Sequence, residues 1–490
     1  MSEESKKYKI IENVLQKINS MSIALPDDET KRNNQLLQIV KRTVQKIRDK
    51  SVLFNNLYQD ISYVGSFYDG LKIGSPNEYD LDCNLRFPKL AEATIEENNT
   101  PGFVHVVLKN LDALRKSESE AAKYPNLDKL LDGNRLSTKK TKSWVESLID
   151  TAFHGNLKMD VNIDGTNCPI KIDIIKSGPA LTIKLEGVHN LKKFELKIDF
   201  VPCFIFPADQ WPKNGYRRNL SHNKKTFFVV PKSPNDLDVY NWRLSFQEQE
   251  RELLHNYKNM KSSIRLIKKI RDRHDHNIAS YFIKTVFMWE LENFDKNFWE
   301  QSLSFVFMTM LRKYGEYIKR RNIPNYWHEK HNLIEDLREE TAVCIANKVR
   351  NIGDHIERIC SSNSGFYDIV NYFLKPHEFD LDSFKQEVSV GKKLLKRMES
   401  DKNLAQVSSN SDDSETSDFA KLENLCLQLA SDQRKVVGLL ERLGEDLEKK
   451  KTQDERIMRR IESKIDRLLA KITVEDFETN VTSDTVELTR

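Results

Sequence analysis

The chain has 490 residues, more than one ordinary domain holds, and its 78 Lys and Arg against 74 Asp and Glu leave a formal charge of only +4, which excludes a histone-like polycation. Its 16 Gly and 14 Pro are about half the usual combined share of roughly 12%, which excludes collagen-like and turn-rich all-β architectures and favours long helices. No apolar run approaches the ~20 residues that span a bilayer, and Met1 is followed by Ser-Glu-Glu-Ser-Lys-Lys where a secreted chain would carry an apolar core. Cys83, Cys168, Cys203, Cys344, Cys360 and Cys426 form no CxxC pair. These features predict a cytoplasmic protein without membrane contact, with reduced thiols and no structural zinc.

Residues 1–60 read as helical. Ile10, Ile11, Val14, Leu15 and Ile18, then Leu36, Leu37, Val40, Val44 and Ile47, recur at spacings of three and four, with a break at Pro26-Asp27-Asp28. The second helix carries Lys31, Arg32, Lys41, Arg42, Lys46, Arg48 and Lys50 against Asp49 over positions 31 to 50, so one face is strongly basic. From 61 to 231 short alternating runs replace the helical period: Ile61 to Val64, Tyr79 to Phe87, Leu157 to Ile163, Ile170 to Ile175, Ala180 to Leu185 and Phe194 to Phe206. Turn signals such as Asp164-Gly165 and Ser177-Gly178-Pro179 separate them. They predict a mixed sheet with inserted helices, one of them around residues 107 to 123. From 232 to 400 the pattern is helical again, with Leu253, Ile264, Ile267 and Ile270, then Phe282, Val286 and Trp289, marking apolar faces. Residues 401–418 are polar, acidic and predicted to be a disordered linker. Residues 419–472 form an amphipathic helix, read either as a coiled coil for self-association or as a hairpin packed on the body. Residues 473–490 read as an acidic tail.

The segment from Gly65-Ser66 to Glu78-Tyr79-Asp80 carries the chemistry. A Gly-Ser pair ends one strand, a turn follows, and carboxylates then alternate along the next strand. Residues two apart on a strand share a face, so Glu78 and Asp80 can present oxygens to shared divalent cations while Tyr79 and Leu81 enter the core. Hard oxygen ligands suit Mg²⁺, with Mn²⁺ as the alternative ion. Two such ions can activate a hydroxyl and stabilise departing pyrophosphate, as nucleotidyl transfer requires. Gly65 permits close backbone approach, and Ser66 with nearby amides can hold phosphate. A third carboxylate is needed from a neighbouring strand. Asp160, Asp173 and Asp199 each lie on a predicted strand, and periodicity alone leaves all three open.

Gly65-Ser66, Lys72-Ile73, Pro76-Asn77-Glu78-Tyr79-Asp80, Ser177-Gly178-Pro179-Ala180-Leu181-Thr182 and Lys197-Ile198-Asp199 follow one another in this order. Further on stand Phe228-Val229-Val230-Pro231, Trp242-Arg243-Leu244-Ser245-Phe246, Leu266-Ile267-Lys268 and Ser280-Tyr281-Phe282-Ile283-Lys284-Thr285. The set resembles cyclic GMP-AMP synthase and the cGAS-like receptors of the Mab-21 family over about residues 8 to 375. The resemblance implies an α+β, bilobal nucleotidyltransferase with a mixed β-sheet catalytic lobe and an all-helical C-terminal lobe, to which this chain adds a helical or coiled-coil extension. It implies Asp199 as the third metal ligand and leaves Asp160, Asp173 and Asp82 as surface or strand-end acids. It further implies that Lys268, Ser280, Tyr281 and Lys284 meet the donor nucleotide, and that the stretch from Arg243 to Glu250 meets the acceptor.

The vertebrate enzyme binds zinc through a His and three Cys in a DNA-reading thumb. Here His255 stands at the matching place, but residues 256 to 264 contain no cysteine, so recognition of duplex DNA in that manner is not expected. A second basic stretch, Lys258, Lys261, Arg265, Lys268, Lys269, Arg271 and Arg273 against Asp272, joins the one at 31–50. Two such helices predict duplex RNA read by shape, with Lys41, Arg42, Lys46, Lys261 and Arg265 as contacts. The expectation is an RNA-activated synthase that makes a cyclic dinucleotide from ATP and GTP for a STING-type receptor in innate immunity. The alternatives are a transferase making linear oligonucleotides and a catalytically silent Mab-21-like scaffold.

Overall fold

The computed structural model describes residues 6–388 apart from 24–26, 75–76, 154–157, 178–179, 219–225, 232–237, 363 and 387. The linker, amphipathic helix and tail expected beyond residue 400 lie outside the described residues, as does the Gly178-Pro179 turn. Two helices lead, α1 at Glu12–Ile23 and α2 at Asp27–Lys50. On α2 the residues spaced by three and four, Leu36, Leu37, Val40, Val44 and Ile47, are buried, while Lys31, Lys41, Arg42 and Lys46 are exposed. This is the division an amphipathic period dictates.

A twelve-stranded mixed sheet follows. Its strands are β1 (Tyr58–Val64), β2 (Glu78–Leu85), β3 (Ala93–Glu97), β4 (Phe103–Leu108), β5 (Leu131–Asp132), β6 (Arg135–Leu136), β7 (Lys158–Ile163), β8 (Thr166–Ser177), β9 (Ala180–His189), β10 (Lys192–Pro207), β11 (Thr226–Val230) and β12 (Trp242–Ser245). A one-turn helix α3 (Gly65–Tyr68) joins β1 towards β2, and α4 (Thr138–Phe153) precedes β7. The long strand β10 organises the sheet. Its first half pairs antiparallel with β9, Lys197 to Phe204 pair parallel with β2, and Phe204 to Pro207 pair antiparallel with β11.

Register follows from the apolar alternation. Phe194, Leu196, Ile198 and Phe200 are buried on one face of β10, and a slip of one residue would turn all four to the other side. Helix α2 lies against this face: the Arg32 guanidinium sits 4.7 Å from the Phe194 ring centroid, and Asn33 Nδ2 donates to the Tyr79 hydroxyl at 3.3 Å. Glu195, Lys197 and Asp199 therefore occupy the opposite face, as the alternation predicts.

Two stretches differ from the sequence expectation. Residues 107 and 108, expected to start a helix, instead end the strand Phe103–Leu108, because Val104, Val106 and Val107 favour a pleated surface. Helix begins only at Leu111 and breaks at Ser117, where ψ is 103°. The sheet also continues past residue 231, since Trp242 pairs with Val104 and Val229 with Leu244. The chain then forms α5 (Gln247–His255), α6 (Lys258–Arg273), α7 (Ser280–Asn293), α8 (Leu303–Lys319) and α9 (Glu339–Ser362), with a short ribbon of Pro324–Asn325 and His328–Asn332 between the last two.

Phe204 joins the parts of the sheet core. Its ring is fully buried, stacks on Phe87 with centroids 4.3 Å apart and meets Trp242 edge-on at 5.5 Å. Phe204→Ala is expected to cost about 3–5 kcal/mol, the usual price of truncating a buried aromatic. Chemical denaturation followed by tryptophan fluorescence measures this, and a loss below about 1 kcal/mol contradicts the role given to this ring.

Candidate active site

The parallel register of β2 and β10 sets Asp80 directly beside Asp199. Glu78 lies one strand repeat from Asp80 on the same face and pairs with Lys72 at 3.4 Å. Asp199 Oδ1 accepts from the Thr182 hydroxyl at 2.5 Å across the β9 edge. Burial, followed by the charges of Asp199 and Glu78, raises the Asp80 carboxyl to about 6. A buried acid raised by neighbouring acids is an environment that favours a bound cation. Gly65 has a φ of +76°, and a Cβ there would fall 1.8 Å from Asp80 Oδ2. The turn can close on the carboxylate only without a side chain. Ser66, the next residue, accepts the Leu71 amide at its carbonyl at 2.7 Å.

The rival acids lie elsewhere. Asp160 is exposed on β7, three strands from β10 in the sheet order. Asp173 on β8 is ion-paired with Lys171 at 2.7 Å. Asp82 is not a surface or strand-end acid: it is 4% exposed, inside β2, and Oδ2 accepts from Gln247 Nε2 at 2.6 Å. Burial raises its carboxyl to about 6, opposed by that hydrogen bond. The alternation Glu78, Asp80, Asp82 already signals a common face, but its contact with α5 depends on tertiary packing.

Glu78, Asp80 and Asp199 supply the hard oxygen donors that Mg²⁺ prefers, so the donor chemistry fits such an ion. Among the described residues, no three Asp, Glu, His or Cys side chains are already gathered into an ion-holding group. Glu78 is turned to Lys72, and Asp199 to Thr182.

The other expected site residues fall into two sets. Glu250, Tyr281 and Lys284 come together: Glu250 Oε1 accepts from the Tyr281 hydroxyl and from Trp327 Nε1, both at 2.9 Å, and Oε2 pairs with Lys284 at 3.0 Å. Lys284 also pairs with Asp69 at 2.8 Å. The Tyr281 hydroxyl is thus committed inward, and the residue as a whole is half-buried. Ser280 begins α7, and its hydroxyl accepts from Arg271 at 2.6 Å. Arg243 is exposed on β12 opposite Val230. Asp69 and Trp327 lacked any periodic signal that would single them out.

The two basic stretches differ. Lys41, Arg42 and Lys46 are exposed, whereas Arg265 and Lys268 on α6 are buried. Arg265 donates to the Gly70 carbonyl, to Asn19 at 2.9 Å and to Ser262 at 3.1 Å. Lys268 donates to the Leu71 carbonyl at 2.6 Å. Lys261 is half-buried beside Gly70. Burial lowers Lys268 to about 8 and Arg265 to about 10. The expectation that α6 offers Arg265 on a basic surface is therefore corrected: Arg265 and Lys268 share a helix with Met260, Ile264, Ile267 and Ile270 and are carried inward with them.

Residues 67–256 match the Mab-21 protein nucleotidyltransferase domain, and residues 259–351 match the Mab-21 protein HhH/H2TH-like domain. The chain is 41% identical over 360 residues to a cyclic GMP-AMP synthase-like receptor of Tribolium castaneum, covering 71% of this chain and 89% of that protein. A cyclic GMP-AMP synthase-like receptor of Aethina tumida is 38% identical over 379 residues, 76% of this chain and 93% of that protein. One from Nicrophorus vespilloides is 34% identical over 358 residues, 73% and 95% respectively.

The elevated Asp80 value gives a signed prediction. An acid whose folded value exceeds its unfolded one of 3.8 favours the fold when protonated; that contribution is present below about pH 4 and lost as pH rises through about 6. In buffer free of divalent ions at pH 7.5, Asp80→Asn should therefore raise the melting temperature by roughly 2–8 °C while removing nucleotidyl transfer. Scanning calorimetry at pH 5 and 7.5 measures it. An unchanged or lowered melting temperature at pH 7.5 contradicts the cause given.

Proposed function

The chain belongs to the Mab-21 nucleotidyltransferase family, among the cyclic GMP-AMP synthase-like receptors, and from that premise we propose that it makes a cyclic GMP-AMP-type dinucleotide when duplex RNA binds. The observation that carries the catalytic reading is the pairing of Asp80 with Asp199, with Gly65 closed against Asp80. In each of two rounds an acceptor hydroxyl oxygen attacks the α-phosphorus of a nucleoside triphosphate, the bond to pyrophosphate breaks, and the hydroxyl proton passes to solvent. The second round closes the ring. Glu78, Asp80 and Asp199 would act through the cations they bind, and positioning with charge neutralisation supplies most of the rate. Magnesium ions bound by these acids would activate the hydroxyl and stabilise the leaving pyrophosphate. Gly65 and Ser66 approach the phosphates, Ser280 faces the donor triphosphate, Lys268 acts on the donor site from behind through the Leu71 carbonyl, Tyr281 stacks on the base, and Arg243 meets the acceptor.

The exposed face of α2 supports the activating ligand. Lys41, Arg42 and Lys46 lie within six positions on one exposed side, and the helix's inner side reaches Tyr79, between Glu78 and Asp80, through Asn33. Phosphate contacts of this kind are insensitive to sequence and fall steeply with salt. The cyclic product would act in the cytoplasm on a STING-type receptor in innate immunity.

Purified full-length protein with ATP, GTP, Mg²⁺ and either duplex RNA, duplex DNA or neither tests the reading. The expected result is a phosphatase-resistant product in the RNA arm alone, absent with Asp199→Asn, present with Asp173→Asn, and no longer RNA-dependent in yield when Lys41, Arg42 and Lys46 are changed to Glu. Phosphatase-sensitive products would make the enzyme a linear oligonucleotide synthase. Equal yield without nucleic acid would remove the sensor reading.

A further inference from the structure

Residues 69–71 link the Gly-Ser turn to the carboxylate strand, and cations of the helical part hold each of them. The Asp69 carboxylate accepts from Lys284 at 2.8 Å and from Arg251 at 3.1 Å. The Gly70 carbonyl accepts from Arg265, and the Leu71 carbonyl accepts from Lys268 at 2.6 Å. Asp69, Lys284, Arg265 and Lys268 are all under 9% exposed. Burying charges on this scale costs several kcal/mol per ion unless partners compensate it. Lys284 has two carboxylate partners, Asp69 and Glu250, whereas Arg265 and Lys268 donate to neutral oxygens. Asp69 is thus the single acid that residues 69–71 contribute to this contact. Burial opposes its ionisation, but Lys284 and Arg251 outweigh it and hold the carboxyl below its ordinary value.

Asp69 also stands directly after α3. Its amide closes that turn on the Gly65 carbonyl at 3.1 Å, and Gly65 is the residue pressed against Asp80. Arg251 extends the same contact, since its Nη2 donates to the Tyr63 carbonyl at 2.7 Å. One residue therefore ties the phosphate-facing turn to α5 through Arg251 and to α7 through Lys284.

We propose that Asp69 is a positioning residue for the donor nucleotide: by holding Lys284 and Arg251 it keeps the Gly65-Ser66 turn at a set distance from Lys268 and Ser280. This rests on the nucleotidyltransferase reading. Asp69 acts on the nucleotide through these partners and makes no contact of its own with it. Lys284 spends its charge between two acids, so its part in nucleotide binding is exerted through Glu250, which fixes Tyr281. A turn that has lost this tie binds the triphosphate more weakly, yet it reacts at a similar rate once the triphosphate has closed it.

The full-length protein carrying Asp69→Asn, Asp69→Glu or Arg251→Gln is compared with wild type by ATP-dependent initial rates, by calorimetric titration with ATP and Mg²⁺, and by hydrogen exchange. Asp69→Asn should raise KM and Kd for ATP about tenfold and leave kcat within about threefold. Exchange should accelerate at residues 66–74 and stay unchanged across Lys192–Pro207. Asp69→Glu should recover most of the affinity, and Arg251→Gln, whose side chain is 37% exposed, should raise KM about threefold even if Asp69→Asn does not fold. Wild-type Kd and KM in Asp69→Asn, or a lowered melting temperature with KM unchanged, would overturn the proposal in favour of a fold staple. Should wild type transfer no nucleotide at all, the catalytic reading fails by itself, and the ATP titration still decides the role of Asp69.

Discussion

Two strands lying parallel, with an acid of each in the same register, impose the constraint on which the rest of this molecule depends. Asp80 and Asp199 face one another because Tyr79 and Leu81 on β2, and Ile198 and Phe200 on β10, must enter the core. The register that buries the apolar residues necessarily brings like charges together on the other face. Much nearby structure answers that repulsion or burial. Thr182 donates to Asp199, Lys72 pairs with Glu78, and Gly65 yields the space the Asp80 carboxylate occupies. A pair of acids so placed lowers stability unless an opposite charge compensates it.

The helical part completes this arrangement by gripping the connection between the turn and the acids. Its cations do not form one surface. On α2, Lys31, Lys41, Arg42 and Lys46 have the apolar residues Leu36, Val40, Val44 and Ile47 behind them and remain in water. On α6 nearly the whole circumference between Met260 and Ile270 is buried, so Arg265 and Lys268 must find partners inside, and they take the carbonyls of Gly70 and Leu71. Equal counts of basic residues thus end in different surroundings: solvent on one helix, the carbonyls of Gly70 and Leu71 on the other.

The legible parts of the sequence were those governed by short periods. Period two along β10 placed Asp199 opposite the core face, and spacings of three and four marked the buried side of α2. Periodicity left Asp160, Asp173 and Asp199 equivalent, because the order of strands in a sheet is not written in the alternation of any one of them. The same limit hid the burial of Asp82, which depends on Gln247 from a helix 165 positions away. Asp69 was invisible for a related reason: its partners Lys284 and Arg251 lie 215 and 182 positions further along the chain. Residues 107 and 108 were misassigned because a short apolar run carries no clear period, and β-branched composition decided for strand.

The most direct test of the account counts ions at the paired acids. Electron paramagnetic resonance of Mn²⁺ titrated into full-length protein with a non-hydrolysable ATP analogue should give about two bound ions per chain for wild type and fewer than about one for Asp199→Asn of equal helical content. Equal Mn²⁺ binding by the two proteins would contradict the claim that the β2–β10 register exists here to hold a cation.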